Sequence, residues 1–461
     1  MTAQVAIVLL GAVLTLGALW SRRVQRGYID FLTPLLAMYF LHTFTRGVLL
    51  LYLPEWLDLN PLVAGASDRE ITEALFLAAT SVALFIAGYL AVCRLAPAPE
   101  RAVGGLSPVS MRAAASLIGV GLCLRLVLRL ATDDVIALPD WALTPVDTFS
   151  WAGLAGVFLA GFNWARSGVP SERNRGALLA VGGALVIIAV DARLSVSREA
   201  VLQPILAALA GRLIGDGASI LRIAVYAAIL GVPLFVWIGA MKTYRGYDLG
   251  PGPGYVESVA AVREHFGRDW AQFVVGSVQD RMHGLDSLIV CRAIVPALRP
   301  YETGSVWSQV VLSAFVPRAF FPEKQVGWGT RFAVEFWGMR PEDEGLASVG
   351  ISHLGEFYLY GGDLGCLTGM AILGAGLGMV AYYLRRRADS LGLVMFVLVA
   401  LTICQVDRDL DVTLGGVLKL LTIFTALMLV HSLRDRAAEG RGSRVSRAAA
   451  ASPRPDIGGR G

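Results

Sequence analysis

The stretch "ITEALFLAATSVALFIAGYLAVC" (residues 71–93) has one charged residue, Glu73, in twenty-three. As a helix it is about 34 Å long, enough to cross the hydrocarbon core of a bilayer. Backbone in hydrocarbon must satisfy its hydrogen bonds internally, so the run reads as a membrane-spanning helix. Working outward, similar runs lie near 3–20, 29–52, 111–130, 149–166, 176–191, 198–214, 219–240, 353–384, 391–406 and 413–432. Together they make about eleven spans. Composition agrees, with 55% hydrophobic and 16% charged residues and a mean hydropathy of +0.61, against about 25% charged in soluble domains. The fold class is all-α, a polytopic integral membrane protein. No basic n-region precedes the first apolar run, which reads as a span and not as a cleaved signal peptide.

Several function classes drop out. The net charge is only +4 and no basic patch is interleaved with aromatics, so no nucleic-acid partner is expected. The five cysteines show no CxxC spacing, which supports neither a disulfide framework nor a zinc site. No His, Asp and Glu cluster has ligand spacing, so neither metal nor cofactor is expected. "GPGPG" (250–254) is a turn-rich hinge, since no GK[ST] follows it.

Charge in the connecting segments alternates. Arg22, Arg23 and Arg26 follow the first span, and Asp58, Asp68 and Glu70 dominate the next loop. Arg94, Arg101 and Arg112 are followed by Asp133, Asp134, Asp140 and Asp147, then by Arg166, Arg173 and Arg175. The positive-inside rule puts the N-terminus outside and the C-terminus in the cytoplasm. Four regions result: a transmembrane bundle (1–240), a long extracytoplasmic loop (241–352), C-terminal spans (353–432) and a basic, low-complexity, disordered cytoplasmic tail (433–461). Within the loop, helical spacing runs through Val259, Val262, Phe266, Trp270 and Phe273, and again through Met282, Leu285, Leu288, Ile289 and Leu298. Residues 305–316 are apolar for about 12 positions, too short to cross, which fits a re-entrant or interfacial segment.

Cations that the positive-inside rule does not explain gather on the outer side. Arg46, Arg125 and Arg129 lie late in outward-running spans. Arg193 and Arg198 flank one outer turn, Arg408 sits in another, and Arg281, Arg318 and Lys324 are in the loop. Ion pairs with Asp191, Glu199, Asp280, Glu323, Asp407 or Asp409, or snorkelling to head groups, account for any one of them. As a set they suit a polyanion, because guanidinium forks bind phosphate oxygens bidentately. A pyrophosphate-linked lipid of the outer leaflet is the natural ligand.

Four segments, "SVSREAVLQPILAALAG" (195–211), "QDRMHGLDSLIV" (279–290), "FVPRAFFPEKQVGWGTRFAVEFWG" (315–338) and "SHLGEFYLYGGDLGCLTGMAILG" (352–374), carry a resemblance. Together they resemble the Wzy-type oligosaccharide repeat-unit polymerases of O-antigen and exopolysaccharide synthesis. That family tends to show an SRG-like turn, a PR..FP.KP-like element in an outer loop and a GE.Y..fG..G element entering the next span. Here Glu199 replaces the glycine of the first and Gln325 the second proline of the second. The resemblance implies a metal-independent glycosyltransferase of the GT-C type in the bacterial inner membrane. It would polymerise undecaprenyl-pyrophosphate-linked repeat units on the outer face, with a chain-length regulator as a further partner.

In that chemistry Arg198, Arg281, Arg318, Lys324 and Arg408 bind and neutralise the leaving pyrophosphate, and Glu356 or His353 deprotonates the acceptor hydroxyl. The structural alternatives stay open: Glu356 paired with an arginine, His353 at a helix start, and Gly355, Gly361, Gly362 and Gly365 for close helix packing. Trp307, Trp328 and Trp337 stack on sugars or anchor at the interface. An O-antigen ligase, another GT-C enzyme using Asp58, Asp68 and Glu70, and a lipid-linked sugar flippase are the rival readings.

Overall fold

A computed structural model describes residues 2–24, 31–54, 57, 59–95, 110–132, 135–194, 199–216, 283–302, 328–337, 350–386, 390–406, 409–410, 413–418, 420–422 and 425. Among the described residues every regular element is helical. In order these are α1 (Ala3–Val24), α2 (Leu32–Tyr39), a π-helical turn (Phe40–Thr45), α3 (Arg46–Tyr52), α4 (Pro61–Ala64), α5 (Asp68–Leu95), α6 (Met111–Thr132) and α7 (Asp140–Ser150). There follow α8 (Ala152–Arg166), α9 (Pro170–Leu194), α10 (Glu199–Asp216), α11 (Gly284–Ile294), α12 (Trp328–Glu335), α13 (His353–Arg386) and α14 (Ser390–Ile403).

Among the described residues, six segments are long and apolar enough to cross a membrane: Ala3–Trp20, Leu32–Tyr52, Asp68–Leu95, Met111–Ala131, Pro170–Asp191 and His353–Leu384. Each coincides with an expected span. The remaining expected spans differ for identifiable reasons. Helices α8 and α14 have 15 and 14 residues, too few for a straight crossing. Helix α10 carries Glu199, Arg212 and Asp216. The runs near 219–240 and in the loop at 255–274 and 305–316 lie outside the described residues.

Two blocks of helices form, each closed by glycine contacts. In the first, Gly17 of α1 faces Ile86 of α5, so the two run parallel, and Gly47 of α3 faces Ile7 and Leu75, so α3 runs against both. Helix α5 packs parallel to α13, where Gly374 meets the Phe85 carbonyl, Gly378 meets Tyr89 and Gly88 meets the Ala371 carbonyl. In the second block, Gly121 and Gly156 hold α6 against α8, Gly176 holds α9 against α8, and Gly161, Gly211 and Gly215 bring α10 against α8. Apolar solvent gives helices no reason to associate, so close backbone approach through small residues supplies the dispersion contact instead. Helix α14 touches both blocks, with Phe396 stacked on Phe31 at 4.1 Å on one side and contacts to α8 on the other.

Helix α13 is not one rod. The backbone leaves helical geometry at Gly361 (φ −170°, ψ 25°) and Gly362 (φ 61°, ψ −144°). The second combination is open essentially to glycine alone. The short limb, 353–360, folds back along the long limb, 363–386. Cys366 Sγ donates to the Leu354 carbonyl at 3.1 Å, and Gly365 and Gly369 both lie against Phe357. In an unbroken helix Leu354 and Cys366 would be about 18 Å apart along the axis.

Candidate functional site

The end of the bundle where α1 and α5 begin is called here the near end. Arg292 of α11 marks it, donating to Glu73 near the start of α5 (2.9 Å) and to Asp363 at the start of the long limb (2.7 Å). From there α11 reaches inward, and its first residue lies about 12 Å deeper. At that depth Gly284 sits against the His42 carbonyl of the π-turn. The short limb of α13 does the same. Tyr39 Oη lies 3.0 Å from His353 Nδ1 and also donates to Met370 Sδ at 3.8 Å. Met370 is seven residues along the long limb from Asp363, about 10 Å below the near end. Two short helices therefore begin inside the bundle and run side by side to the near end.

The start of the short limb has a side-chain cap, whereas α11 starts at His283 without one. Ser352 caps the short limb, its Oγ accepting the Gly355 N–H at 3.2 Å. That hydroxyl also donates to the Gly284 carbonyl (2.8 Å) and lies 2.8 Å from Ser287 Oγ, so one serine pair ties α11 to α13. Next to it lies the most deeply buried charge pair of the first block. Arg46 donates from Nε to Asp286 Oδ1 (2.9 Å) and from Nη2 to Oδ2 (2.6 Å), both side chains being 1% exposed. His283 Nδ1 lies 3.6 Å from the same carboxylate, and its ring meets Trp337 edge-on at 5.3 Å.

The π-turn prepares this centre. It inserts an extra residue into the turn, and such insertions recur at functional positions. The Thr45 hydroxyl donates to the Phe40 carbonyl five residues back (3.1 Å), the spacing of the widened turn. Tyr39, His42 and Arg46 all point into the block, while Phe40 and Phe44 stack on each other at 4.6 Å.

The predicted site residues fall into two groups. Arg198, Arg281, Arg318, Lys324 and Arg408 lie outside the described residues, as do Trp307 and the side chain of Trp328. His353 and Glu356 are described, and both are buried. Glu356 Oε2 accepts the Leu410 N–H at 2.6 Å and Oε1 accepts the Tyr360 hydroxyl at 3.2 Å. It thus joins the short limb to the chain that follows Asp409, itself buried.

Sequence reasoning missed Asp286, Arg292 and Asp363. Asp286 carried a usable signal, a lone carboxylate inside the apolar run "GLDSLIVC". Arg46 was legible as a charge within a span, but its partner lies 240 residues away.

Chemically, the buried centre holds a paired guanidinium and carboxylate, imidazoles and a second carboxylate, all packed among helices. A cavity of about 1070 Å³ opens at the near end, lined by Asp68, Arg69, Glu73, Arg292 and Asp363 together with apolar side chains. No family model, no curated protein and no solved structure matches the chain.

Proposed function

We propose that this chain is a membrane glycosyltransferase that polymerises undecaprenyl-pyrophosphate-linked oligosaccharide repeat units. On this reading it is a GT-C-type enzyme with about eleven spans in the bacterial inner membrane, its N-terminus and near end outside. The acceptor hydroxyl oxygen attacks the anomeric carbon of the donor glycan. The bond from that carbon to the pyrophosphate oxygen breaks, and undecaprenyl pyrophosphate leaves with the electron pair. Arg198, Arg281, Arg318, Lys324 and Arg408 neutralise the leaving group, and His353 or Glu356 takes the proton.

One observation carries the reading. Two segments of the resemblance, "GLDSLIV" and "SHLGEFYLY", lie 65 residues apart, yet they pack as neighbouring short helices through the Ser287 and Ser352 hydroxyls. They open toward the same end of the bundle, and Glu356 binds the backbone two residues beyond Arg408. The test is polymer synthesis in proteoliposomes supplied with lipid-linked repeat units. A ladder of products, unaffected by EDTA and abolished by Arg318→Ala at unchanged protein level, is the expected result. Loss on chelation that Mg²⁺ restores overturns the mechanism, and an absence of any product above one repeat unit overturns the function.

A second reading is favoured by a specific observation. Helices that start in mid-bundle around buried charge are the usual makeup of transporter sites, and α11 and the short limb of α13 have that form. Movement of intact lipid-linked oligosaccharide between leaflets, with no change in glycan length, would establish the flippase reading in place of the polymerase.

A further inference from the structure

The near-end cavity is unlike the phosphate site expected from the arginines, and we infer that it holds a membrane aminophospholipid. Its rim holds three carboxylates, Asp68, Glu73 and Asp363, and two guanidinium groups, Arg69 and Arg292. Both cations are already committed within the rim. Arg292 bridges Glu73 and Asp363, and Arg69 Nε donates to Glu73 Oε1 at 2.9 Å. The rim therefore carries a surplus negative charge. A pyrophosphate would meet that surplus, whereas a primary ammonium meets acceptors it can donate to. Arg69 pairs with Glu73 through Nε alone and its side chain is 87% exposed, so its terminal nitrogens can still donate to a head-group phosphate. The alternation of sign around the rim thus matches a zwitterion.

Below the rim the lining becomes apolar. Along α5 it passes from Asp68 through Phe76 to Thr80, about 18 Å of helix axis. Leu367, one turn below Asp363, forms the facing wall. Eighteen ångströms is the reach of an extended acyl chain of common length. The flank is open sideways, since Phe76 and Tyr52 are 45% and 55% exposed. An amphiphile enters from the bilayer with its tail along Phe76 and its head at the carboxylates. Selectivity must therefore come from the head group, because the tail finds equal surroundings in the membrane.

The experiment is native mass spectrometry of the full chain released from nanodiscs of equimolar phosphatidylethanolamine, phosphatidylcholine, phosphatidylglycerol and a neutral monoglycosyl diacylglycerol. The expected result is retention of one phosphatidylethanolamine at least fivefold above each of the others. Asp68→Asn should reduce that preference severalfold, and Thr80→Trp, which fills the apolar limb, should abolish retention. Both positions are at the cavity surface, and the far-ultraviolet circular dichroism of the variants should match wild type. Equal retention of phosphatidylcholine, whose ammonium has no proton to donate, overturns the inference. So does preference for phosphatidylglycerol or for the glycolipid, or retention unaffected by Thr80→Trp. The outcome is independent of whether the chain polymerises glycans.

Discussion

Removing one partner of the Arg46–Asp286 pair is the sharpest perturbation available. Both side chains are 1% exposed and share two hydrogen bonds of 2.9 and 2.6 Å. Breaking a buried pair on one side leaves an uncompensated charge and costs about 3–5 kcal/mol, whereas replacing both partners by apolar groups is often neutral or stabilising. Arg46→Met should fall at the lower end, because the imidazole of His283, with Nδ1 3.6 Å from Asp286, leaves the carboxylate a polar neighbour. Asp286→Leu should fall at the upper end, because it strands a guanidinium that cannot lose its proton. At about 1.4 kcal/mol per decade the two singles lower the folding constant by roughly 100-fold to 4,000-fold. The double variant should unfold within about 1 kcal/mol of wild type, so the coupling across the cycle approaches the sum of the two single costs. Denaturant titration in mixed micelles, followed by circular dichroism, measures all four corners. If either single variant costs less than about 1 kcal/mol, the two charges are separately solvated and the reasoning fails. A double variant that is stable yet inactive would show that the pair is kept for function.

Other expectations follow from the same geometry. Gly362→Ala puts a Cβ at φ 61° and 2.7 Å from the Tyr301 hydroxyl, and should destabilise by about 1–3 kcal/mol. Gly361→Ala, at an extended φ with nothing within 4 Å, should leave the melting temperature almost unchanged, and equal effects of the two would refute the break. Glu356→Gln keeps one acceptor oxygen for two donors and should cost about 1–3 kcal/mol, while Tyr360→Phe should cost about 1 kcal/mol. A Glu356→Gln protein of wild-type stability that has lost only its activity would instead identify the carboxylate as the base. A periplasm-dependent reporter should be active after Pro300 and inactive after Ala438, and a reversed pattern would invert the proposed orientation.

What the sequence makes legible here is set by the range of the interaction that decides each element. Span 71–93 is decided by its own hydrophobicity, and α5 covers it with a few residues added at each end. The run 353–384 is as apolar, yet its limbs part at Gly361 and Gly362. A glycine pair in an apolar run looks the same whether it admits a neighbouring helix or a backbone reversal, and the reading chose packing. Gly365 does serve packing, but against Phe357 of its own folded-back limb. Helical spacing through Leu285, Leu288 and Ile289 marks α11, while the charge alternation assigns it to the outer loop and carries nothing about its depth in the bundle. Its burial depends on Arg46 and Ser352, far away in sequence. Charges likewise divide. Arg46 stands out because arginine within a span is costly, whereas Glu73, Arg292 and Asp363 acquire meaning only once three helices meet.

The glycine contacts constrain how the molecule can move. Among the described residues, the glycine contacts between helices join α1, α2, the π-turn, α3, α5, α11 and α13 to one another, or α6, α8, α9 and α10 to one another, with Gly416 against Thr402 of α14 as the exception. Where the contact is to backbone, as between α5 and α13 and where α6, α9 and α10 meet α8, sliding meets steric collision, so these contacts hold each set together. Helix α14 bridges them through larger, apolar side chains such as Phe396, and those repack at low cost. Relative rotation is therefore concentrated along the seam that α14 occupies. Because Glu356 holds Leu410 just beyond that helix, rotation there is transmitted directly to the short limb that starts at His353.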